Sequence, residues 1–377
     1  MRIELNETVL EAGRRRIRWL FDEFDTIVVN VSGGKDSTVV MHLALEVARE
    51  LGRTPIYLYW LDQEAEWQST VDIVGEWMRD PDVIPLWLQV PFRIFNATSG
   101  HSHWLHAWDA DAEDLWIHPR DPLAKTENVY GVDRFAKLFE AVMAYHFHGQ
   151  KVARLAGVRA EESMARLNGV TGHHLYGGET WGNGSGAKRG QQHYTFYPIY
   201  DWRMTDVWKF IHDGGFAYNR LYDLQFRHGL PVRAMRVSNL HHETAVNALF
   251  YVQEFEPDTY ARLTARIEGI DMAAKLTDDG FNPGELPHMF RDWAEYRDYL
   301  LEHLIEREDW RKTMAARFAS QQKRCPEERL NDMFAQHVRS ILRQDWEGIL
   351  PGNWGVQTAA NTRSRRGKAI RAAQASH

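Results

Sequence analysis

A short apolar run that ends in two adjacent glycines is the feature that most constrains the fold of this chain. Residues 26–31 (TIVVNV) are mostly β-branched and are apolar on both faces, as a strand buried in a parallel sheet would be. Apolar residues then recur at helical spacing over about 36–51. The turn between these two segments consists of Ser32, Gly33, Gly34, Lys35, Asp36 and Ser37. This order of strand, glycine turn and helix predicts a parallel β-sheet.

Residues 32–37, called the cradle below, carry groups that suit a bound anion. Glycines let the backbone approach an anion closely, and the free N–H groups at a helix start point towards it. Lys35 can offset phosphate charge, whereas Asp36 would repel phosphate unless Mg²⁺ bridges the two. The pattern matches neither G-x-x-x-x-G-K-[ST] nor G-x-G-x-x-G. The cradle alone predicts an anion site with a Mg²⁺ contact at Asp36, and the alternative is a tight turn with incidental serines.

Strand and helix patterns alternate after the cradle. Strand patterns cover 55–61, 83–90 and 151–158, and helix patterns cover 64–79 and 132–148. Such alternation predicts βαβ units. We therefore expect an α/β fold with a parallel β-sheet flanked by helices.

Two long stretches interrupt this alternation, and the chain changes character after them. Residues 91–130 lack a clear period and are interpreted as an irregular insertion, and residues 169–198 form a glycine-rich loop of the length that is usually functional or disordered. We predict one domain over 1–235, a helical C-terminal domain over 236–360, and a disordered basic tail over 361–377.

Three further stretches, together with the cradle, resemble the PP-loop ATP pyrophosphatase superfamily, whose signature is S-G-G-x-D-S. They resemble most closely its phosphoadenosine phosphosulfate (PAPS) reductase-like branch. Residues 61–67 (LDQEAEW) lie where that branch carries an acidic segment, 157–166 (GVRAEESMAR) resemble G-[IV]-R-x-x-E-S-x-x-R, and 197–208 (YPIYDWRMTDVW) resemble P-[IL]-x-D-W-x-x-x-D-[IV]-W. The resemblance spans about 24–225 and implies an adenine nucleotide α-hydrolase-like, Rossmann-like sheet with a helical C-terminal extension.

The resemblance also implies ATP and Mg²⁺ as ligands and assigns further nucleotide-binding residues. Asp62 would lie along the nucleotide, although it could instead be a solvated turn acid. Arg159 and Arg166 would face the phosphates or an acidic substrate, although Arg166 could simply pair with Glu162 on a helix surface. Lys188 is a candidate on other grounds, because a mobile basic loop such as the glycine-rich one could close over phosphates, or the loop could be solvated and partly disordered.

The activity that this resemblance implies is cleavage of ATP between its α and β phosphates. A substrate oxygen attacks the α-phosphate, pyrophosphate leaves, and the adenylated substrate then accepts a nucleophile. Lys35, Asp36 and Arg159 would be the catalytic residues. We therefore predict an ATP pyrophosphatase-type adenylyl transferase that acts on a nucleic acid base or a metabolite.

The resemblance breaks at the cysteine on which PAPS reductases depend. Their nucleophile lies in an E-C-G-[IL]-H segment, which this chain lacks, and its single cysteine, Cys325, lies in KRCPE. Sulfonucleotide reduction is therefore only a second alternative to adenylyl transfer.

The first alternative is a nucleotide-responsive regulatory protein. Residues 256–260 (EPDTY) and 266–269 (RIEG) resemble a subgroup of PAPS-reductase-like proteins found near mobile elements, some of which are described as regulators of prophage gene expression. Such a protein would bind DNA or a partner protein through the helical part and the basic tail.

Composition narrows the class of protein. The net charge of −7 excludes a global basic field for nucleic acid, although Arg14, Arg15, Arg16 and Arg18 could form a local basic surface. One cysteine excludes a disulfide framework and any cysteine-ligated cluster within one chain. Because no apolar run is long enough to span a bilayer, we predict a cytoplasmic protein that makes no membrane contact.

A cluster of histidines offers one further candidate site. His101, His103 and His106 could ligate a divalent metal, with Asp109 and Asp111 close by. Their spacing does not define a coordination geometry, so the metal site is a secondary hypothesis.

Overall fold

The computed structural model describes most of the chain, in several ranges. These ranges are 6–96, 104–171, 176–183, 192–241, 249–267, 270, 285–305 and 307–342. The chain forms two compact units, Met1–Ala274 and Lys275–His377.

The first unit is built on a mostly parallel sheet. The strands are β1 (Thr26–Asn30), β2 (Ile56–Leu61), β3 (Val83–Leu88), β4 (Phe92–Phe95), β5 (Trp104–Ala107), β6 (Val152–Leu155), β7 (Gly182–Asn183) and β8 (His193–Phe196). One sheet has the order β3-β2-β1-β6-β8-β7, in which only the β7–β8 pair is antiparallel. Strands β4 and β5 form a separate antiparallel pair. The predicted α/β fold is confirmed.

Helices cover both faces of this sheet. They are α1 (Val9–Glu23), α2 (Lys35–Glu50), α3 (Gln68–Trp77), α4 (Phe135–His146), α5 (Met164–Thr171), α6 (Met204–Gly214), α7 (Leu221–Arg227), α8 (Leu249–Phe255) and α9 (Pro257–Arg266). Because side chains alternate along a strand, Ile27 and Val29 pack into the core with α1 and α2, and Val28 packs on the other face with α4. Burial on both faces explains the unbroken apolar run of β1.

The two predicted irregular stretches contain more regular structure than their composition indicated. The range 91–130 holds β4, β5 and a 3₁₀ turn over Ala110–Leu115, and the range 169–198 holds β7 and β8. Phe196 is fully buried, so β8 completes the core despite the surrounding glycines. Helix α3 begins at Gln68, four residues later than predicted, because Glu64 has a φ of 65° that no helix allows.

The first unit extends well past residue 235, where the sequence predicts a domain boundary. Leu240, Val252 and Leu263 are fully buried in the same core as α4, so α8 and α9 belong to the sheet-containing unit. The predicted tail over 361–377 lies outside the described residues.

Two side chains of this extension fasten the segment that follows β2. The Glu256 carboxylate accepts hydrogen bonds from the backbone N–H groups of Gln68 (2.7 Å) and Ser69 (2.9 Å), and so caps α3. Arg266 Nε donates to Glu64 at 2.6 Å. Glu256 and Arg266, which belong to the quoted stretches 256–260 and 266–269, therefore have a structural role in this chain.

The second unit is helical. Its described helices are α10 (Trp293–His303), α11 (Glu308–Gln322) and α12 (Leu330–Leu342), around a core that includes Leu300, Met314, Phe318 and Val338. This confirms the predicted helical C-terminal region. Across the described ranges of both units, no helix is long and apolar enough to cross a membrane.

The cap on α3 yields a test of the extension's contribution to stability. Glu256→Gln removes the negative charge of the carboxylate that accepts hydrogen bonds from two backbone N–H groups. The free energy of unfolding should therefore fall by about 1–3 kcal/mol. Glu254→Gln is the matched control, because the Glu254 side chain is 51% exposed and should change stability by less than about 0.5 kcal/mol. Urea denaturation measures both, and equal losses would contradict the cap.

A second test uses pH. His42 of α2 stacks on Phe216 with ring centroids 3.9 Å apart, and burial lowers the pKa of His42 from 6.5 to about 4. Between pH 6.5 and about 4, the unfolded state therefore binds more protons than the folded state. The stability that neutral His42 contributes above pH 6.5 is lost as the pH falls towards 4. The free energy of unfolding should drop by up to about 3 kcal/mol more in the wild type than in His42→Gln. Equal pH slopes in urea titrations would contradict this.

Candidate active site at the sheet switch point

The order of the strands singles out one position on the sheet. The sequence of strands runs outwards from β1 through β2 to β3 on one side and from β6 to β8 on the other, so it reverses between β1 and β6. Ligands of open α/β sheets bind beyond the carboxyl ends of the strands at such a reversal. The cradle directly follows β1, and residues 157–159 follow β6, so two of the stretches quoted above meet there.

The conformation of the cradle requires its glycines. Gly33 has a φ of 68°, and a Cβ atom at this position would lie 2.7 Å from Thr70 Cγ2. Gly34 is the N-cap of α2. Ser37 Oγ donates to the Gly34 carbonyl at 2.8 Å and lies 3.4 Å from Ser32 Oγ. The loop is therefore held by its own serines at the start of a helix, where backbone N–H groups can meet an anion.

Three residues that the sequence predicts to be catalytic come together, two from the cradle and one from the segment after β6. Arg159 Nε binds the Asp36 carboxylate, and Lys35 Nζ lies 3.5 Å from the same carboxylate. All three side chains are buried, with 7% exposure for Lys35, 9% for Asp36 and 4% for Arg159. Lys35 and Arg159 thus bring two cationic groups to a helix N-terminus, and the helix dipole there also favours an anionic ligand.

The ion pair also bears on the predicted Mg²⁺ contact. Mg²⁺ takes oxygen ligands in octahedral geometry, usually from one or two carboxylates together with waters and phosphates. The Asp36 carboxylate already contacts two cations, and no group of three or more His, Cys, Asp and Glu side chains that could hold a metal is present in the described ranges. These residues do not form a magnesium site by themselves, and the contact at Asp36 stays a prediction.

Gly157 explains why the stretch after β6 needs a glycine. A Cβ atom there would lie 2.6 Å from the Asp36 carbonyl carbon and 2.7 Å from the Ser37 nitrogen. Real Cβ atoms do not come so close to a backbone. The absence of a side chain at Gly157 therefore lets the backbone after β6 lie against the first turn of α2.

The remaining predicted ligands are placed differently. Arg166 pairs with Glu162, and its side chain is 45% exposed, so the structure has the surface pair that was the alternative to a phosphate contact. Lys188 lies outside the described residues, as do His101 and His103. His106 is exposed on β5. The nucleotide role of Arg166 and Lys188 stays a prediction.

Asp62 is a buried residue rather than a solvated turn acid. Its carboxylate accepts from Trp87 Nε1 (3.0 Å) and Gln89 Nε2 (2.8 Å), and lies 3.2 Å from His118 Nε2. Burial opposes charge on His118, but the Asp62 carboxylate raises the pKa of His118 overall. Asp62 therefore organises the end of β2, and its predicted contact with the nucleotide is not tested by these bonds.

The sequence does not point to Tyr222, which lies directly on the cradle. Its Oη accepts from the Lys35 backbone N–H at 3.1 Å, and Lys35 Nζ lies 5.3 Å from the centre of its ring. Only 4% of Tyr222 is exposed, and burial raises its pKa. No motif surrounds Tyr222, and 187 positions separate it from Lys35, so only the fold reveals the contact.

The stretch 197–208 has a structural role. Asp201 binds Arg16 of α1 through two bonds of 2.8 Å and 2.7 Å, and Trp202 Nε1 donates to the Val9 carbonyl at 2.9 Å. The other arginines of α1 are also paired: Arg14 with Glu46, Arg15 with Glu7 and Arg18 with Glu50. Acidic side chains therefore neutralise the four arginines that could have formed a local basic surface on α1.

Comparison with known proteins finds two family models. The model described as "Phosphoadenosine phosphosulfate reductase domain" matches residues 26–228, and "Domain of unknown function (DUF3440)" matches residues 229–327. A relative from Escherichia coli (strain K12), "Uncharacterized protein YbdN", is 27% identical over 366 residues, which cover 91% of this chain and 88% of the relative.

Two solved structures are also similar to this chain. A phosphoadenylyl-sulfate (PAPS) reductase from Candida auris, in a phosphate complex, is 16% identical with a TM-score of 0.36, over 64% of this chain and 99% of that chain. A Candida glabrata FMN adenylyltransferase, in complex with FMN and the ATP analogue AMPCPP, is 12% identical with a TM-score of 0.35, over 59% of this chain and 63% of that chain.

The close approach at Gly157 yields a test of the site. Gly157→Ala must displace the first turn of α2, so the affinity for pyrophosphate should fall about tenfold or more. Gly13→Ala is the control, since its Cβ would meet Trp202 at an ordinary 3.5 Å. Isothermal titration calorimetry measures both, and wild-type affinity in Gly157→Ala would contradict the site.

Proposed function

Because the chain belongs to the phosphoadenosine phosphosulfate reductase domain family, we propose that its cradle binds ATP and that the protein splits this ATP between the α and β phosphates. The observation that carries the proposal is the convergence of Lys35 and Arg159 on Asp36 beside the cradle. The two cationic side chains lie buried at the switch point of the sheet, which is where open α/β sheets bind their ligands.

Two kinds of protein group at the cradle and next to it can bind phosphate. Backbone N–H groups at the start of α2 and the hydroxyls of Ser32 and Ser37 can donate to phosphate oxygens. Lys35 and Arg159 can oppose the charge that grows on the leaving pyrophosphate. Glu161 also binds Arg159, at 3.1 Å, but its side chain is 41% exposed, so water screens its charge.

The proposed reaction is adenylyl transfer. An oxygen of the acceptor forms a bond to the α-phosphorus, the bond from this phosphorus to the bridging oxygen breaks, and pyrophosphate leaves with the bonding electrons. The protein contributes mainly position and charge. An acceptor that is already an oxyanion needs no base, which suits a site where Asp36 is held by two cations.

The sequence around Cys325 argues against thiol-based reduction as the activity. Cys325 lies in KRCPE rather than in an E-C-G-[IL]-H segment. We therefore place the nucleotide chemistry at the cradle, with a nucleic acid base or a metabolite as the acceptor.

The products of turnover test this proposal. Incubation with Mg-ATP and a panel of acceptors should release AMP and pyrophosphate, which chromatography of the nucleotides detects. Lys35→Met should lower kcat about 100-fold, because it removes charge beside the leaving group while Arg159 still pairs with Asp36. Lys209→Met, with a side chain 75% exposed, should match the wild type.

Two results would contradict adenylyl transfer. Release of ADP and phosphate would mean that ATP is cleaved between its β and γ phosphates, and not between α and β. Binding of ATP without turnover for every acceptor would instead favour the nucleotide-responsive regulatory protein.

A further inference from the structure

Three polar side chains lie together on the face of the sheet that α4 covers. Asn30 ends β1 and is paired in register with Tyr59 of β2, and Arg154 of β6 is paired with Val28, two residues before Asn30. Because alternate residues share a face, Asn30 lies on the same face as Val28, which packs with α4. The ring of Phe139 of α4 contacts both neighbours, 5.0 Å from the Tyr59 ring and 4.5 Å from the Arg154 guanidinium.

Each of these three side chains has a buried polar atom with unused hydrogen-bonding capacity. Arg154 and Tyr59 are each only 5% exposed. Within the described ranges, Arg154 Nε, Tyr59 Oη and Asn30 Oδ1 have no hydrogen-bond partner. Buried polar groups are almost always paired, so three such atoms on one face of a sheet call for an explanation.

Arg154 is the most costly of the three. Burial lowers its pKa, and the charge of Glu140 on α4 only partly opposes this effect. No carboxylate forms an ion pair with Arg154 in the part of the chain that the structure describes, although Phe139 provides a cation–π contact. A buried guanidinium without an acceptor destabilises a fold, and a bound anion would offset this cost.

We propose that Arg154 and Tyr59 bind an oxyanion, a carboxylate or phosphate group of the acceptor substrate. Arg154 can donate to two oxygens of such a group, and the Tyr59 hydroxyl can donate a third bond. Asn30 Oδ1 accepts from a hydroxyl or ammonium group next to the oxyanion. The identification of the bound molecule as the acceptor rests on the proposed adenylyl transfer, whereas the binding of an oxyanion at Arg154 and Tyr59 does not.

The position of this site relative to the cradle supports its assignment to the acceptor. Asn30 precedes Ser32 by two residues, and Arg154 precedes Gly157, which touches the Asp36 backbone, by three. The site lies on the face of the sheet opposite α2, so that ATP and the acceptor would approach the switch point from different sides. The anionic group that Arg154 binds would therefore be distinct from the acceptor oxygen that attacks the α-phosphorus.

Calorimetric titration of the full chain with glycolate and with inorganic phosphate tests the site. Glycolate supplies a carboxylate with an adjacent hydroxyl, so preference for one probe distinguishes the two sources of oxyanion. Arg154→Met and Tyr59→Phe should each weaken the binding of the preferred probe about tenfold or more, because each removes a donor to a charged group. Arg49→Met, an exposed arginine paired with Asp80 and Asp82, should bind as the wild type does.

Further readouts separate this site from structural roles and from the cradle. Arg154→Met should also raise the urea midpoint, since an unpaired buried charge is lost, whereas a structural arginine would lower it. Lys35→Met should keep the Arg154-dependent part of phosphate binding. If Arg154→Met does not fold, Tyr59→Phe still removes one donor with little change of shape.

Some results would overturn this site and leave adenylyl transfer standing. Wild-type affinity for the preferred probe in both Arg154→Met and Tyr59→Phe would do so, as would no binding of either probe by the wild type. Conversely, Arg154-dependent binding without release of AMP from ATP would support this site and count against the proposed function.

Discussion

The buried ion pair between Asp36 and Arg159 is the interaction on which the site depends. It joins the first turn of α2 to the segment after β6, across the point where the strand order reverses. Only 4% of Arg159 is exposed, so the loss of Asp36 would leave this buried guanidinium with the partly exposed Glu161 as its remaining carboxylate partner. Gly157 makes the pair possible, because only a residue without a side chain fits against the Asp36 backbone. The same contact that stabilises the sheet thus places positive charge beside the cradle.

The helices α8 and α9 support this arrangement from a distance. Glu256 caps α3, and Arg266 binds Glu64, so the segment between β2 and α3 is held in place at two points. Thr70 of α3 in turn contacts the position where Gly33 turns. The extension that lies beyond the predicted domain boundary therefore contributes to the geometry of the cradle, although it supplies no ligand itself.

The features of the fold and site that the sequence predicts are those determined by residues close together in the chain. The order of strands and helices follows from apolar periodicity, and Lys35, Asp36 and Arg159 belong to short motifs that follow strands β1 and β6. The burial of Asp62, the contact of Tyr222 with Lys35 and the unpaired Arg154 depend on residues far apart in the chain, such as the 187 positions between Lys35 and Tyr222. No local pattern encodes them. Glycine content was similarly misleading over 169–198, where pairing with β6 makes β8 a strand.

The most direct test of the central claim is a crystal structure with a non-hydrolysable ATP analogue. The account predicts β and γ phosphates against the backbone of residues 32–37, between the ends of β1 and β6. It further predicts that a phosphate oxygen replaces Tyr222 Oη as the acceptor of the Lys35 N–H. A nucleotide bound elsewhere, with Tyr222 still bonded to Lys35, would contradict it.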